Sequence, residues 1–232
     1  TVSLLLAKAG IGQITLVDHD SLMPGNVIRH VCGLGYVGND KQIATSLIIN
    51  QHNPYCNVIL RDSTWDPNII FQYIESCDLV IDTTANKNFS LLLNDVCISH
   101  KKAVVFGAAF RRARIGRIIS HVNNNDPCLA CYGNTSIWSV ENYPVVPPSQ
   151  EETFIEDGCG SVTEEATALD VEAVANFITR NVIKILQRQD DAANLGFIVN
   201  EPIKDTEIPI FQEPGIHWIL NQPASNCAIC SL

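Results

Sequence analysis

Positive charge is scarce in this sequence, in which 15 lysines and arginines stand against 25 aspartates and glutamates among 232 residues, a formal net charge of −10. This balance argues against a general nucleic-acid-binding protein, which needs a basic surface. Apolar runs long enough to cross a bilayer, roughly 20 residues, are also lacking. The short apolar stretch at the start has no basic region before it and no cleavage site after it, unlike a signal peptide. We therefore expect neither a nucleic-acid nor a membrane partner.

The opening strand and glycine-rich turn of a doubly wound nucleotide-binding domain are missing as well. The sequence begins with helical spacing from Val2 to Ala9, which ends at Gly10 in the usual C-terminal glycine position. We therefore expect the sequence to be a fragment of a longer chain. Residues 1–232 contain no internal repeat and are predicted to form a single domain.

Short apolar runs alternate with segments of helical spacing over the first half of the chain. The predicted strands are 13–18, 58–60, 78–82 and 103–107. The predicted helices are 41–50, 89–100 and one that starts at Asp66-Pro67. This alternation is typical of an α/β, Rossmann-like and mostly parallel sheet with helices on both faces. An antiparallel strand at 117–122, a long loop at 135–157 and a helix at 171–186 follow. We therefore predict a smaller antiparallel C-terminal part.

Four of the nine cysteines form two CxxC pairs, Cys128/Cys131 and Cys227/Cys230, which are separated by 95 residues (132 to 226). Two thiolates three positions apart on a tight turn can bind one ion, and two such knuckles complete the tetrahedral sulfur site that zinc favours in structural roles. Either pair alone could be a redox motif, but two pairs together favour zinc. The sequence therefore predicts a structural Zn²⁺ site with no position open for water.

The cysteine content as a whole indicates a reducing compartment, because the number of cysteines is odd and the chain is large for a disulfide framework. Cys32, Cys56, Cys77 and Cys97 lie in apolar neighbourhoods and are interpreted as core residues. Cys159, in DGCGS, lies where a helix is predicted to begin, and a helix N-terminus favours the thiolate form of cysteine.

Several segments follow one another in a specific order along the chain. They are AGIGQITLVDHD, GNVIRH, Lys41 in GNDKQ, VIDTTAN, VVFGAA and the two CxxC pairs. Together they resemble the ThiF/MoeB/HesA family of adenylating enzymes, which are related to ubiquitin-activating enzymes. The resemblance covers nearly the whole chain, and LVDxD followed by NxxR is its most specific combination.

The resemblance implies an adenylyltransferase that uses ATP and Mg²⁺ to join AMP to the C-terminal glycine of a ubiquitin-like or sulfur-carrier protein. It also implies a dimer and a cytoplasmic location. The implied nucleotide-binding residues are Asp18, Asn26, Arg29, Lys41, Asp82 and Asn86. Asp18 would accept hydrogen bonds from the ribose hydroxyls. Asn26 and Lys41 would face the phosphates, and Arg29 would act catalytically by neutralising charge that develops there.

Two departures from the family pattern bear on catalysis. Thr84-Ala85-Asn86 stands where the family commonly has a TDN motif whose aspartate contacts magnesium. Family members also often carry a cysteine that takes over the activated carboxylate, and the resemblance places this catalytic role on Cys159. Its acidic neighbours Glu156 and Asp157 oppose thiolate formation, and Cys159 could instead pack beneath the nucleotide.

Each implied role has a structural alternative. Asp18 could be a strand-end turn residue and Asn26 a turn former, while Arg29 and Lys41 could be solvated surface charges. His19 and His30 are interpreted as loop or packing residues, because adenylation requires no imidazole. For the whole chain the alternatives are a non-catalytic scaffold that binds a partner, and a nicotinamide oxidoreductase, which the double CxxC and NxxR disfavour.

Overall fold

A computed structural model describes residues 1–133, 144–146, 154–155, 162–163, 166–189, 193–225 and 227–230. These residues form two compact units, one comprising 1–64 and 149–179 and the other 65–148 and 180–232. In chain order the helices and strands are α1 (Val2–Lys8), β1 (Gln13–Val17), α2 (Lys41–His52), β2 (Asn57–Arg61), α3 (Pro67–Ile74), β3 (Val80–Asp82), α4 (Lys87–Ser99), β4 (Val104–Phe110), β5 (Ile115–His121), β6 (Phe154–Ile155), β7 (Val162–Thr163), α5 (Ala168–Leu186), β8 (Leu195–Val199) and β9 (Gly215–Ile219).

The first unit is organised around the parallel pair β1 and β2, in which Gln13 lies opposite Asn57. Its apolar core contains Ala7, Ile49 and Cys56, with side chains of β1 and β2 packed against them. Helix α1 ends before Gly10, whose φ of 95° is the left-handed conformation predicted for that glycine. The strand–helix–strand order predicted for residues 13–60 is confirmed.

The second unit contains a five-stranded sheet with the order β3-β4-β5-β8-β9. Strands β3 and β4 are parallel, and the other three pairings are antiparallel. One face packs into a core that includes Phe106, Ile115, Phe197 and Phe211. The α/β class and the antiparallel C-terminal part are confirmed, although in this unit the antiparallel pairings outnumber the parallel one. Strands β8 and β9 were not predicted from the sequence.

Strand register defines two opposite ends of this sheet. Asp82, the last residue of β3, pairs with Phe106 in β4, and the loop that follows leads into α4. At the other end, Val104 at the start of β4 pairs with His121 at the end of β5. The Asn194 carbonyl, just before β8, accepts a hydrogen bond from the Ser120 amide at that same end. Asp82 therefore lies at one end of the sheet, and Asn194 lies at the opposite end.

Helix caps account for the start of two predicted helices. The Asp66 carboxylate accepts a hydrogen bond from the Asn68 amide at the start of α3, where Pro67 is the first helical residue. The Asn86 side chain accepts one from the Phe89 amide at the start of α4. No helix in the described ranges is both long and apolar enough to span a bilayer.

Candidate functional site

Four thiols of the second unit lie together, as the CxxC spacing predicts. Cys128 Sγ is 3.7 Å from Cys227 Sγ, and Cys131 Sγ is 3.4 Å from Cys230 Sγ. All four sulfur atoms lie within 4.8 Å of one another. A zinc ion with Zn–S bonds of about 2.3 Å holds its four sulfurs about 3.8 Å apart. The spacing therefore fits a single tetrahedral ion, and the residues fit the predicted metal.

The surroundings of this cysteine cluster are apolar. Cys128, Cys131 and Cys227 are at most 1% exposed, whereas Cys230 is half-buried. A hydrogen bond with Cys131 and burial raise the pKa of the Cys128 thiol, and burial raises that of Cys230 to about 11. Binding a metal as thiolates would therefore release protons. Four protein ligands leave no coordination position for a substrate, which is the arrangement of a structural site.

Main-chain hydrogen bonds hold both cysteine turns. The Cys131 amide donates to the Cys128 carbonyl, and the Cys227 amide donates to the Ala224 carbonyl. The Ala224 amide lies 3.5 Å from Cys131 Sγ, where it can donate to the sulfur. Through Ala224, these contacts tie Cys227 to the first CxxC turn independently of any ion.

Asn94 supports the first CxxC turn and was not predicted from the sequence. It lies on α4, is completely buried, and its Oδ1 accepts a hydrogen bond of 2.8 Å from the Leu129 amide, between the two cysteines. Sequence spacing gives no indication of this contact, because the two residues are 35 positions apart. Asn94 therefore orients the backbone that presents Cys128 and Cys131.

Replacing Asn94 with alanine is expected to lower the free energy of unfolding by about 1–3 kcal/mol, because it leaves the amide of the partly buried Leu129 without its acceptor. Loss of metal to a chelator should also become faster. Urea unfolding and chelator competition measure the two effects. Asn50→Ala, on the exposed side of α2, is the matched control and should change stability by less than about 0.5 kcal/mol. Equal effects of the two substitutions would remove Asn94 from this role.

In the first unit, the loop between β1 and α2 is closed on itself. The Leu22 amide donates to the Asn39 carbonyl, and the Gly38 amide donates to the Leu22 carbonyl. At the base of the loop, Lys41 donates its amide to the Asp20 carbonyl and its Nζ to Asp20 Oδ2 at 2.7 Å. The loop therefore holds its charged residues in a fixed backbone conformation, and Asp20 is a partner of Lys41 that the sequence did not indicate.

Three of the predicted nucleotide-binding residues occupy this closed loop. Asp18 directly follows β1, is half-buried, and accepts a hydrogen bond from the Asp20 amide. Asn26 and Arg29 lie in a short 3-10 helix covering Pro24–Arg29, in which residues three apart share a face. Asn26 is 4% exposed and its Oδ1 accepts from the Met23 amide, while Arg29 donates to the Gly25 carbonyl. Asn26 thus caps its own helical turn.

His30, in the same loop, has an imidazole whose pKa is lowered by its surroundings. Burial, with smaller contributions from the positive charges of Lys41 and Arg29, lowers the pKa of its imidazole to about 4. Its Nδ1 accepts a hydrogen bond from the Cys32 amide. His30 is therefore neutral near pH 7 and structural, as predicted.

Asp82 and Asn86 lie in the second unit, at the end of β3 and in the loop after it. Asp82 is buried and accepts hydrogen bonds from the Thr84 amide and the Ser90 hydroxyl. Asn86 is exposed and caps α4. Between them, Ala85 has a φ of 56°, a left-handed conformation that aspartate and asparagine adopt more readily than alanine. Each predicted ligand here has a visible structural role.

The other cysteines are placed largely as expected. Cys32, Cys56 and Cys97 are buried, and burial raises the pKa of the Cys97 thiol to about 12. Cys77 is only half-buried, and its thiol donates to the Tyr73 carbonyl. Cys159, proposed from the sequence as a nucleophile, lies outside the described residues. The prediction that a helix begins at Cys159 is wrong, because α5 begins at Ala168, after strand β7.

Residues 1–214 match the ThiF family. The adenylyltransferase and sulfurtransferase MOCS3 of Dictyostelium discoideum is 28% identical over 186 residues, covering 78% of this chain and 40% of that protein. The adenylyltransferase and sulfurtransferase UBA4 of Candida albicans is 29% identical over 156 residues, covering 67% of this chain and 33% of that protein. The chain therefore spans about two fifths or less of the length of these curated relatives.

Solved structures of the same fold include E. coli MccB with ATP, with a TM-score of 0.70 at 18% identity, covering 99% of this chain and 62% of MccB. The microcin C7 biosynthetic enzyme MccB in complex with N-formylated MccA gives a TM-score of 0.71, also at 18% identity, covering 99% of this chain and 63% of MccB. At this level of identity the likeness shows the fold.

Proposed function

Because this chain belongs to the ThiF family, we propose that it adenylates the C-terminal glycine of a ubiquitin-like or sulfur-carrier protein with ATP. The observation that carries this proposal is the family match over residues 1–214, together with relatives named adenylyltransferases. Adenylation joins AMP to the carboxylate and releases pyrophosphate, which leaves the terminal glycine as an activated acyl group.

The closed loop of the first unit supports the proposed binding of the nucleotide. Lys41 is held at one position by Asp20, and Arg29 lies in the 3-10 helix of the same loop. We assign Asp18 to the ribose hydroxyls, Lys41 to the phosphates as a fixed point charge, and Arg29 to the charge that grows on the α-phosphate in the transition state. Since Asn26 is buried and caps the 3-10 helix, its proposed role is to orient Arg29 next to the phosphates.

Asp82 and Asn86 form a weaker proposal. The carboxylate of Asp82 already accepts two hydrogen bonds, and Ala85 supplies no acid. The residues after β3 therefore fit a magnesium site poorly. Mg²⁺ is usually held by one or two carboxylates together with substrate phosphates, so the nucleotide itself is its main expected ligand.

Zinc is the proposed occupant of the cysteine cluster, in a structural role. The dimer and the cytoplasmic location implied by the family resemblance remain predictions. Light scattering of the purified protein in solution measures its mass and so tests the dimer.

Carrier-dependent exchange of labelled pyrophosphate into ATP tests the proposed reaction directly. Exchange that requires ATP, Mg²⁺ and a carrier with a free terminal glycine supports adenylation. A carrier lacking its last glycine is the matched control and should give none. If the carrier binds but no exchange occurs, the protein is a scaffold.

The scaffold is the second candidate, and Ala85 is the observation that favours it. The family pattern commonly has an aspartate at this position, and the left-handed backbone here suits that residue better than alanine. Ala85→Asp discriminates between the candidates. In a scaffold it leaves exchange at background, whereas in a weakened enzyme it raises the Mg²⁺-dependent rate.

Cys159 is proposed to accept the activated glycine. Its thiolate would attack the acyl-adenylate carbonyl, form a thioester and expel AMP. Incubation with ATP and carrier should therefore give a covalent adduct that excess thiol cleaves, as seen by intact-mass measurement. Cys159→Ala should abolish the adduct and leave pyrophosphate exchange intact, because adenylation needs no thiol.

Cys77→Ala provides the control, since Cys77 is a half-buried thiol for which no role is proposed. An adduct that persists in the alanine variant of Cys159 would move the nucleophile to another cysteine. Parallel loss of adduct, exchange and thermal stability would identify Cys159 as a packing residue.

A further inference from the structure

A cavity of about 500 Å³ opens beside the cysteine cluster in the second unit. Its walls include five carboxamide side chains, and we refer to it as the carboxamide cavity. Its lining residues are Asn124, Asn125, Asp126, Asn194, Leu220, Asn221, Gln222, Pro223, Ala224, Ser225 and Cys230. The volume lies within the range of small-ligand sites, roughly 300–1,000 Å³.

Within the second unit, the cavity lies away from Asp82, which was predicted to act in adenylation. Its residues follow β5, precede β8 and follow β9 in the chain. By the strand register, they lie at the end of the five-stranded sheet opposite Asp82. A ligand in this cavity would therefore occupy a second site of the second unit.

One wall of the cavity is built rigidly. Asn194 donates from Nδ2 to the Asn221 carbonyl and accepts at Oδ1 from the Asn221 amide, at 2.8 and 3.0 Å. The Tyr132 hydroxyl also donates to Asn194 Oδ1. Further along, Ala224 is tied to Cys131 and to the Cys227 amide. Residues 221–224 are thus held at both ends, which preorganises the wall.

Asn194 shows how a carboxamide of this cavity can hydrogen-bond to a main chain. Its side chain binds the main-chain amide and carbonyl of one residue at the same time. A carboxamide can do this because it carries both a donor and an acceptor. The remaining carboxamides of the cavity present the same pair of groups.

Asn221 is the part of the cavity that points to a ligand. Asn221 is only 5% exposed, yet its Nδ2 has no hydrogen-bond acceptor among the residues that the structure describes. A buried amide nitrogen without a partner costs free energy. Asn221 is also a lining residue of the carboxamide cavity, so a carbonyl group bound there is the acceptor that this nitrogen lacks.

The lining also restricts the class of ligand. Among the described lining residues there is no lysine or arginine, and the carboxylate of Asp126 accepts from the Val122 and Asn123 amides. Anions therefore have no counter-charge here. Neutral groups that combine a carbonyl with an N–H match the carboxamides best, and the peptide group has this composition.

We propose that the carboxamide cavity binds the main chain of an extended, uncharged polypeptide segment of a partner protein, with Asn221 donating to one of its carbonyls. Because this contact is made with the main chain of the partner segment, the segment can carry various small side chains. Leu220, which is 58% exposed at the rim, offers an apolar surface for one of them.

The test uses the zinc-loaded, ¹⁵N-labelled protein and the probe acetyl-Gly-Gly-N-methylamide, which carries only peptide groups. Titration should shift the side-chain NH₂ signals of Asn221 and Asn124 in a saturable way. Asn221→Leu should weaken the probe at least tenfold while leaving the melting temperature unchanged or higher, since no described partner is lost. Asn123→Leu is the control, because Asn123 is exposed, directly precedes Asn124 and does not line the cavity.

Ser225→Trp gives a second variant, which fills the cavity from an exposed position and should also abolish the shifts. It decides the matter if Asn221→Leu does not fold. The proposal is overturned if the probe leaves the NH₂ signals unmoved, or if glycerol at equal concentration shifts them as strongly. It is also overturned if Asn221→Leu destabilises the protein without changing the titration.

Discussion

Cys227→Ser should reduce the zinc content of the purified protein from about one ion per chain to less than about a tenth, measured by elemental analysis. The remaining three thiols cannot complete the tetrahedral sulfur site. Because the metal would link residues 128–131 to 227–230, its loss removes a cross-link that closes a loop of about 100 residues. A cross-link of that span contributes on the order of 4–5 kcal/mol in the chain-entropy model.

The melting temperature should accordingly fall by roughly 8–20 °C, given about 2–4 °C per kcal/mol for a chain of this size. Cys56→Ser is the matched control, because Cys56 is also buried, at 3% exposed, but lies in the first unit. It should retain the zinc and report the cost of burying a hydroxyl alone. A zinc-free protein with an unchanged melting temperature would show that the cysteine cluster is not a metal site.

Arg29→Ala should slow carrier-dependent pyrophosphate exchange by roughly 10²–10³-fold while changing the affinity for ATP little. This split is expected because a guanidinium that acts on charge developed in the transition state contributes mainly to the rate. Asp18→Ala should do the reverse and weaken ATP binding by roughly 10–100-fold, since hydrogen bonds to a charged acceptor contribute about 1.5–3 kcal/mol. Calorimetry with ATP and Mg²⁺, together with the exchange assay, separates the two effects.

Arg180→Ala is the control for the arginine substitution, since Arg180 is exposed on α5. It should match the unmodified protein in both assays. An equal loss of ATP affinity in Arg29→Ala would indicate that the closed loop had collapsed, because Arg29 also donates to the Gly25 carbonyl. If the unmodified protein binds no ATP at all, the scaffold interpretation replaces the enzyme.

Local patterns predicted well where the physical cause is local. The proline and cap at Asp66-Pro67, the glycine after α1 and the CxxC turns each depend on a few neighbouring residues, and all three agree with the structure. Strand β4 was recognisable because its buried residues from Val104 to Gly107 form a continuous apolar run.

The partners of these local features could not be predicted, because they depend on contacts distant in sequence. Asn94 reads as an ordinary polar residue of a helix, and only the fold places its side chain against Leu129. Asp20 likewise gains its meaning from Lys41, 21 positions away. The turn between β4 and β5 is a further case, since Arg111, Arg112 and Ala113 all have φ near 55–61°, which propensities disfavour in residues other than glycine.

The sheet order of the second unit has a consequence for how the protein is made. Strand β5 lies between β4 and β8, yet β8 begins 74 residues after β5 ends, and β9 and the second cysteine pair come later still. On the ribosome, a nascent chain therefore holds a β5 rich in isoleucine with one edge unpaired until β8 emerges. At about 5–20 residues per second this interval lasts several seconds. Such an edge invites pairing with other chains, so we expect the growing polypeptide to depend on a chaperone during that interval.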